Sequence, residues 1–272
     1  MKINTNNIKV QQMKNHEIDY KIYGEELQCV EIELDPNEAV IAEPGSFMMM
    51  NEGIKMETMF GDGSNTGLMG KLFTAGRRML TGESLFMTVF SNISSQKRQV
   101  SFAAPYTGKI IALNLAEYGE KIICQKDSFL CAAKGVSIGI EFQKRLGTGL
   151  FGGEGFIMQK LEGDGMCFVH SGGYVMEKEL QPGEVLKIDT GCIVAFTQNV
   201  DYDIQFVGGV KNTLFGGEGL FFAQLRGPGK VWIQTLPISR LAGKILQYGS
   251  GTRREEGSVL GKLGNLLDGD GF

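Results

Sequence analysis

The sequence predicts an all-β protein with very little helix, built from three tandem repeats that pack in a pseudo-threefold arrangement. Three observations predict this fold class. Glycine occupies 39 of 272 positions, about twice its usual share of roughly 7%, which is typical of short strands joined by tight turns. Apolar and polar residues alternate with period two in several segments. The chain also matches itself when it is shifted along its own length.

The internal match is strongest in the second half of the chain. Gly119–His170 aligns without a gap on Gly183–Gln234, a shift of 64 positions. Within the match, Leu150–Gly155 is identical to Leu214–Gly219. A match of this length and density predicts two copies of one structural unit.

A fainter third copy lies upstream. A shift of 82 positions aligns Glu38 with Glu120, and a shift of 71 positions later aligns Glu83 with Glu154. The first copy therefore carries an insert of eleven residues. The predicted organisation is an N-terminal extension (1–16), repeat 1 with an insert at about 55–80 (17–105), repeat 2 (106–176), repeat 3 (177–248) and a C-terminal tail (249–272).

The repeats are predicted to contain the same strands in the same order. A strand follows each glutamate-bearing turn, a third strand begins near an apolar residue after the next turn, and a fourth alternates apolar and polar residues. The predicted second strands are Ala39–Ala42, Lys121–Gln125 and Val185–Asp189; the third strands lie near Phe47, Phe129 and Ile193; the alternating strands are Val136–Phe142 and Val200–Phe206.

A hairpin is predicted after each glycine-rich block. In the last copy, strands at Leu220–Leu225 and Lys230–Leu236 flank a Gly-Pro-Gly turn, and glycine supplies the positive φ that hairpin loops need. Helix is predicted only at Met69–Leu80, at Ile238–Tyr248 and over a short stretch at Val259–Leu267.

Charge and hydropathy exclude several classes of protein. The net charge is −4 and the sequence pI is about 5.4, so no bulk attraction to nucleic acid is expected. The N-terminal segment lacks the apolar core of a signal peptide, and the apolar runs are shorter than the ~20 residues that cross a bilayer. We therefore expect a soluble cytoplasmic protein. Its five cysteines are odd in number and form no CxxC pair, which predicts buried free thiols.

The glycine-rich blocks are the candidate ligand-binding sites. Such a turn can direct backbone N–H groups at an anion. The blocks lack the Lys and Ser/Thr of a phosphate-binding loop, however, and a strand follows them instead of a helix. A tight structural turn is therefore the favoured interpretation, although the three glutamates could hold a cation or share protons if they converge at the pseudo-axis. The candidates are Gly82, Glu83, Gly153, Glu154, Gly217 and Glu218.

No catalytic or metal-binding constellation is recognisable. The two histidines, His16 and His170, belong to no HxH, HExxH or Cys/His pattern. The sequence has no Gly-x-Ser-x-Gly elbow for a serine nucleophile. We therefore predict no catalytic residues, no metal site and no cofactor.

Methionine is concentrated in the first copy. Met48, Met49, Met50, Met56 and Met59 fall within twelve residues. Flexible thioethers suit both core packing and adaptable contact surfaces, and both interpretations stay open. The insert adds an apolar and basic stretch whose candidate interface residues are Met69, Leu72, Phe73, Arg77 and Arg78.

Three features together resemble a known family. They are the run Ala42–Met48, the two Leu-Phe-Gly-Gly-Glu-Gly blocks and Leu236-Pro237 before a short basic stretch. The sequence resembles the bacterial family related to the mitochondrial "altered inheritance of mitochondria" protein twenty-four, from about Ile18 to Leu246. The resemblance implies a TRAP-like fold, a double-stranded β-helix or β-sandwich with internal duplication, and no established enzymatic activity.

The resemblance also suggests a role. The mitochondrial relatives are associated with inner-membrane architecture and respiratory-complex assembly. TRAP-like rings bind tryptophan and RNA, but no residue of this sequence matches their sites, and no nucleic-acid partner is expected. The sequence favours a non-catalytic scaffold or assembly protein with a protein partner or self-association, and with peripheral membrane contact as one form of that role. The alternative is a small-ligand or anion-binding protein that uses the Gly-Glu turns.

Overall fold

A computed structural model describes residues 15–60, 86–144, 156–207, 220–246 and 248. The described chain is mostly antiparallel strand, with a helix, α1, at 238–246, and the predicted all-β class is confirmed. The strands are β1 Asp19–Tyr23, β2 Cys29–Leu34, β3 Ala39–Ala42, β4 Phe47–Met50, β5 Ile54–Phe60, β6 Phe86–Asn92, β7 Arg98–Ala103, β8 Gly108–Asn114, β9 Lys121–Gln125, β10 Phe129–Ala133, β11 Ser137–Lys144, β12 Phe156–Glu162, β13 Met166–Gly172, β14 Val175–Leu180, β15 Val185–Asp189, β16 Ile193–Thr197, β17 Asp201–Val207, β18 Leu220–Arg226 and β19 Gly229–Gln234.

Local patterns predicted most of these elements. The three predicted second strands are β3, β9 and β15, with the same bounds. The predicted third strands begin where β4, β10 and β16 begin, and the alternating segments form β11 and β17. Helix α1 lies inside the predicted Ile238–Tyr248 segment. The predicted helices at Met69–Leu80 and Val259–Leu267 lie outside the described residues.

The strands pair by a rule that recurs along the chain. We call β2–β7 the first set, β8–β13 the second set and β14–β19 the third set. Within each set the first strand pairs with the sixth, the sixth with the third, the second with the fifth, and the fifth with the fourth. Each set thus supplies two three-stranded sheet halves.

Neighbouring sets are joined through their sheets. The second strand of the first set, β3, pairs with β10, the third strand of the second set. In the same way β9 pairs with β16. The result is two six-stranded sheets, β5-β6-β3-β10-β13-β8 and β11-β12-β9-β16-β19-β14, together with a four-stranded sheet β1-β2-β7-β4 and a three-stranded sheet β15-β18-β17. A closed pseudo-threefold arrangement would need β4 to pair with β15. These two strands do not pair in the part of the chain described, so the arrangement and the three tandem repeats stay predictions.

The predicted hairpin after the last glycine-rich block is wrong in its pairing. The two strands exist as β18 and β19, but β18 lies in the three-stranded sheet and β19 in a six-stranded one. The turn between them, which contains a cis Gly227-Pro228 bond, carries the chain from one sheet to the other. The same holds for β12 and β13. A turn signal predicts that the chain reverses direction; it does not specify the hydrogen-bond partner.

The buried side chains lie between the sheets. One cluster spans the first two sets and part of the third, and includes the single tryptophan, Trp232. A second cluster lies between the second and third sets. At the joint between β3 and β10 the side chains are small, and Cys131, Ala132 and Ala133 have no exposed surface. Small residues let the two sheet halves continue into each other without a gap.

One backbone feature recurs at the turns before the second strands. Asn37, Gly119 and Gly183 have φ of 71°, 72° and 79°. This left-handed conformation costs an ordinary residue about 1–2 kcal/mol, but little for glycine and less for asparagine than for most. The positive φ therefore accounts for two glycines and an asparagine at these three positions, although Gly119 ends a short 3-10 helix at Leu115–Tyr118 and the other two lie in four-residue turns.

We predict that Gly183→Ala destabilises the fold by about 1 kcal/mol and lowers the midpoint of thermal unfolding by about 2 °C. A methyl group at this position would meet no neighbouring atom, so the cost comes from the positive φ alone. Gly243→Ala is the matched control, because Gly243 lies in α1 with open space around it and alanine favours helix. Equal midpoints for the two variants, measured by circular dichroism, would contradict this account.

Candidate functional site

The sequence-predicted site residues lie outside the described residues. This applies to the ligand-binding candidates Gly82, Glu83, Gly153, Glu154, Gly217 and Glu218, and to the interface candidates Met69, Leu72, Phe73, Arg77 and Arg78. Whether the three glutamates converge therefore stays a hypothesis. The described strands instead present a different surface, at the edge of the four-stranded sheet.

Strand β4 is an exposed apolar strand at a sheet edge. It is the last strand of the sheet β1-β2-β7-β4, and its sequence is Phe-Met-Met-Met. The four side chains are 42%, 51%, 50% and 39% exposed. The strands in the same position of the other two sets, β10 and β16, are almost completely buried. An edge strand without charge or proline is open to pairing with another strand.

The backbone of β4 leaves hydrogen-bonding groups free along this edge. Toward β7, the Asn51 N–H donates to the Gln99 carbonyl (2.9 Å), and the Ser46 carbonyl accepts from the Ala103 N–H (2.9 Å). Because the groups of successive residues in an antiparallel strand point to opposite sides, those of Met50, next to Asn51, point away from β7 and face the open edge. The register shift between Phe47 and Met49 interrupts this alternation. In the equivalent bulge of β10 the Leu130 carbonyl accepts from the Glu43 N–H of β3 at 3.0 Å, so by equivalence the Met48 carbonyl also faces the open edge.

Strand β15 forms a second open edge. It ends the sheet β15-β18-β17, and the Glu184 carbonyl just before it accepts from the Gly227 N–H at 3.0 Å. By the same alternation, the backbone groups of Val185 and Lys187 point away from β18. Val185 is 43% exposed. The equivalent strands β3 and β9 are covered by β10 and β16.

The glutamates of the turns before the second strands have a structural role. Glu38 accepts a hydrogen bond from the Asp35 N–H at 2.7 Å, and Glu184 accepts one from the Gln181 N–H at 2.9 Å. In both turns the carboxylate closes a four-residue loop onto its own backbone, as Asx and ST turns do with shorter side chains. Burial raises the pKa of Glu38, partly offset by that backbone hydrogen bond.

The cysteines are free, and three of them are buried. Cys124, Cys131 and Cys167 have no exposed surface, and burial raises the pKa of each thiol. A thiol whose pKa is raised is protonated at neutral pH and is a poor nucleophile. Cys29 and Cys192 are half-buried. The predicted burial of the free thiols thus holds for three of the five cysteines.

The two histidines lie in separate places. The His16 Nδ1 accepts a hydrogen bond from the Ala39 N–H at 3.0 Å. His170 on β13 is buried, and its ring meets the Tyr106 ring edge-on at 4.5 Å between centroids. Burial lowers the pKa of His170 to about 4 and raises that of Tyr106 to about 12. His170 is thus a neutral packing residue at physiological pH.

The described residues contain neither a cluster of metal-ligand side chains nor a membrane-spanning helix. In residues 15–60, 86–144, 156–207 and 220–248, apart from 247, no three His, Cys, Asp or Glu side chains stand together as a metal site would need. Within the same segments, no helix has the length and apolar character to span a membrane.

The five methionines of the first copy include both exposed contact residues and a core-packing residue. Met48, Met49, Met50 and Met56 are exposed, whereas Met59 packs against the core. The exposed interpretation therefore holds for four of the five. The sequence carries no signal for this exposure, because an unbroken apolar run such as Phe47–Met50 is also the pattern of a strand buried on both faces, as in β10.

Comparison with known proteins identifies the family. The model of the mitochondrial biogenesis AIM24 family matches residues 20–236, and the chain belongs to this family. A protein of Streptococcus pyogenes serotype M6, described as uncharacterised, is 33% identical over 222 residues, which are 80% of this chain and 86% of that protein. The crystal structure of another Streptococcus pyogenes protein superimposes with a TM-score of 0.67 at 26% identity, covering 85% of this chain and all of the other. The family resemblance predicted from the sequence is confirmed.

We predict that His170 makes the fold less stable in acid. Its pKa is about 4 in the folded chain and about 6.5 in the unfolded chain. As the pH falls from 6.5 to 4, only the unfolded chain takes up the proton, so stability is lost over this window, by at most about 3 kcal/mol. Urea unfolding of wild type and His170→Gln at pH 7 and pH 4.5 measures the effect. The variant should lose less stability than wild type, and equal losses would contradict the assignment.

Proposed function

We propose that this protein is a non-catalytic assembly scaffold of the cytoplasm that binds a protein partner through the edge of β4. One observation carries the proposal: Phe47–Met50 form four consecutive exposed apolar residues on a strand whose outer edge has no partner among the described strands. Burying one such side chain contributes about 1.5–3 kcal/mol. A partner strand would also satisfy the free backbone groups of Met48 and Met50, which is the way that β-strand addition recognises its targets.

We also propose that the chain is three tandem TRAP-like repeats. The recurrence of the four strand pairings in the three sets supports this. The positions that the sequence shifts of 82 and 64 bring into register, such as Asn37, Gly119 and Gly183, share the same positive φ. In this arrangement β4 is equivalent to β10 and β16, the strands through which the second and third repeats pair with the repeat before them.

The chemistry of the described residues favours a non-catalytic role. Burial keeps Cys124, Cys131 and Cys167 protonated and His170 neutral, so none of these four groups is a poised nucleophile or a charged acid at neutral pH. The ligand-binding alternative depends on the glycine-rich blocks, whose residues lie outside the described chain. No observation favours it.

A matched pair of methionine variants tests the proposal. Met48→Lys places a charge on the β4 edge, and Met176→Lys places the same charge on β14, where Met176 is 43% exposed. Tagged full-length wild type and both variants are purified from cells of the native organism, and the bound proteins are quantified by mass spectrometry. We expect Met48→Lys to reduce specific partners by about tenfold or more, equivalent to about 1.4 kcal/mol, and Met176→Lys to retain them.

Equal recovery with both variants would contradict a binding role for β4, provided that circular dichroism shows both to be folded. Flotation with liposomes that contain anionic lipid tests whether the β4 edge binds a lipid surface instead of a protein. If wild type floats and Met48→Lys does not, the edge binds a lipid surface, and the protein-partner form of the proposal is wrong. If neither floats, peripheral membrane contact is excluded for this edge.

A further inference from the structure

Two internal joints connect neighbouring sets in the same register. In the first joint Ala132 on β10 lies opposite Ile41 on β3. In the second joint Phe196 on β16 lies opposite Ile123 on β9. The sequence shifts of 82 and 64 relate Ile41 to Ile123 and Ala132 to Phe196. The joints are therefore equivalent residue by residue, and each is made by a second strand and a third strand.

The first and the third set present the unmatched halves of this joint. Strand β4 is a third strand that has no second strand beside it, and β15 is a second strand that has no third strand beside it. The other open edges differ, because the fourth strand is an edge in all three sets and the first strand in two of them. The first-strand edge that is open at β8 and β14 is covered in the first set by β1, a strand outside the sets, whereas among the described strands the edges open at β4 and β15 are ones that a strand of a neighbouring set covers elsewhere.

The backbone of β4 already has the shape that the joint uses. The pairing of β4 with β7 shifts register between Phe47 and Met49. Strand β10 shifts between Phe129 and Cys131 against β13, and β16 shifts between Ile193 and Ala195 against β19. These are the same positions under the two sequence shifts. A bulge re-aims the strand, so β4 is formed as β10 and β16 are formed.

We infer that β4 of one copy of this chain pairs with β15 of a second copy, in the register of the internal joints. The shifts place Met50 opposite Lys187, with Met49 opposite Ile188 and Asn51 opposite Leu186 on either side. This inference deepens the proposed function, on which it rests, by identifying the partner as a second copy.

The chemistry of the two edges supports this pairing. The outward backbone groups of Met48 and Met50 meet those of Lys187 and Asp189, as the Leu130 carbonyl meets the Glu43 N–H at 3.0 Å in the first joint. The methionine side chains supply the apolar surface. Lys187 is the charged residue on the opposing edge that would discourage indiscriminate pairing, and its aliphatic stem can lie along Met50.

Pairing of unlike edges makes a head-to-tail interface. Each copy offers one β4 and one β15, so the contact generates a closed ring or an open filament. Every joint of such an assembly, within a copy and between copies, would have the same geometry.

Proline variants test the inference by complementation. Met50→Pro and Lys187→Pro each remove an N–H that points to the open edge, so neither breaks a hydrogen bond within the chain. Size-exclusion chromatography with light scattering should give wild type a mass that is a multiple of 29.7 kDa. Each variant alone should give 29.7 kDa. Mixed in equal amounts, the two should form a dimer, because β15 of the Met50→Pro chain meets β4 of the Lys187→Pro chain.

A cysteine pair tests the register. Copies carrying Met50→Cys and copies carrying Lys187→Cys, with different tags, should form a mixed disulfide under mild oxidation, since paired strands bring Cα atoms within disulfide range. The control mixes copies carrying Met50→Cys with copies carrying Lys178→Cys on the β14 edge. This mixture should form no mixed disulfide above the background that the native thiols give in the wild type.

Three results would overturn the inference. The first is a wild-type chain that is monomeric across a dilution series. The second is a mixture of the proline variants that stays monomeric although circular dichroism shows both to be folded. The third is a disulfide within one chain when Met50→Cys and Lys187→Cys are combined and diluted, which would mean that the edges close on each other. If β4 variants still lose cellular partners in any of these cases, the scaffold proposal stands without the second copy.

Discussion

The fold depends on one interaction: the backbone hydrogen bonding between the second strand of one set and the third strand of the next. At β3 with β10 and at β9 with β16, this pairing turns two three-stranded halves into one six-stranded sheet. Small sheets are marginally stable in water. The joints let neighbouring sets share a core, and the buried side chains accordingly form clusters that cross set boundaries.

This constraint explains where the sequence is apolar and where it is not. Strand β10 is buried along its whole length and is paired on both edges, with β3 and β13. Strand β4 has the same bulge and the same place in its set, but no strand of the described residues covers its outer edge. Its run of Phe and Met is therefore exposed, in contrast with the small buried residues of Cys131–Ala133. Flexible methionine side chains can pack against the surface of a partner, and they can also remain exposed to solvent when no partner is bound.

Much of the fold could be predicted from the sequence, and the limit has a physical cause. The bounds of β3, β9 and β15, the alternating strands and α1 all follow from local periodicity and turn residues. The sheet partners do not, because period-two alternation reports which face is buried and carries no information about the neighbouring strand. The predicted hairpin at Gly227 was wrong for this reason. The glycine-rich blocks are recognisable sequence motifs. The edge at Phe47–Met50 contains no motif and is recognised only from its place in the sheets.

The central claim is that β4 and β15 are two halves of one joint, and hydrogen–deuterium exchange measured by NMR tests it most directly. If the edges pair between copies, the Met50 and Lys187 amides become protected together as protein concentration rises. The amides of the internal joints, such as those of Ala132 and Ile123, stay protected at every concentration. Two results would contradict the claim. The Met50 and Lys187 amides could exchange rapidly at all protein concentrations, or they could stay protected when the protein is diluted to a monomer.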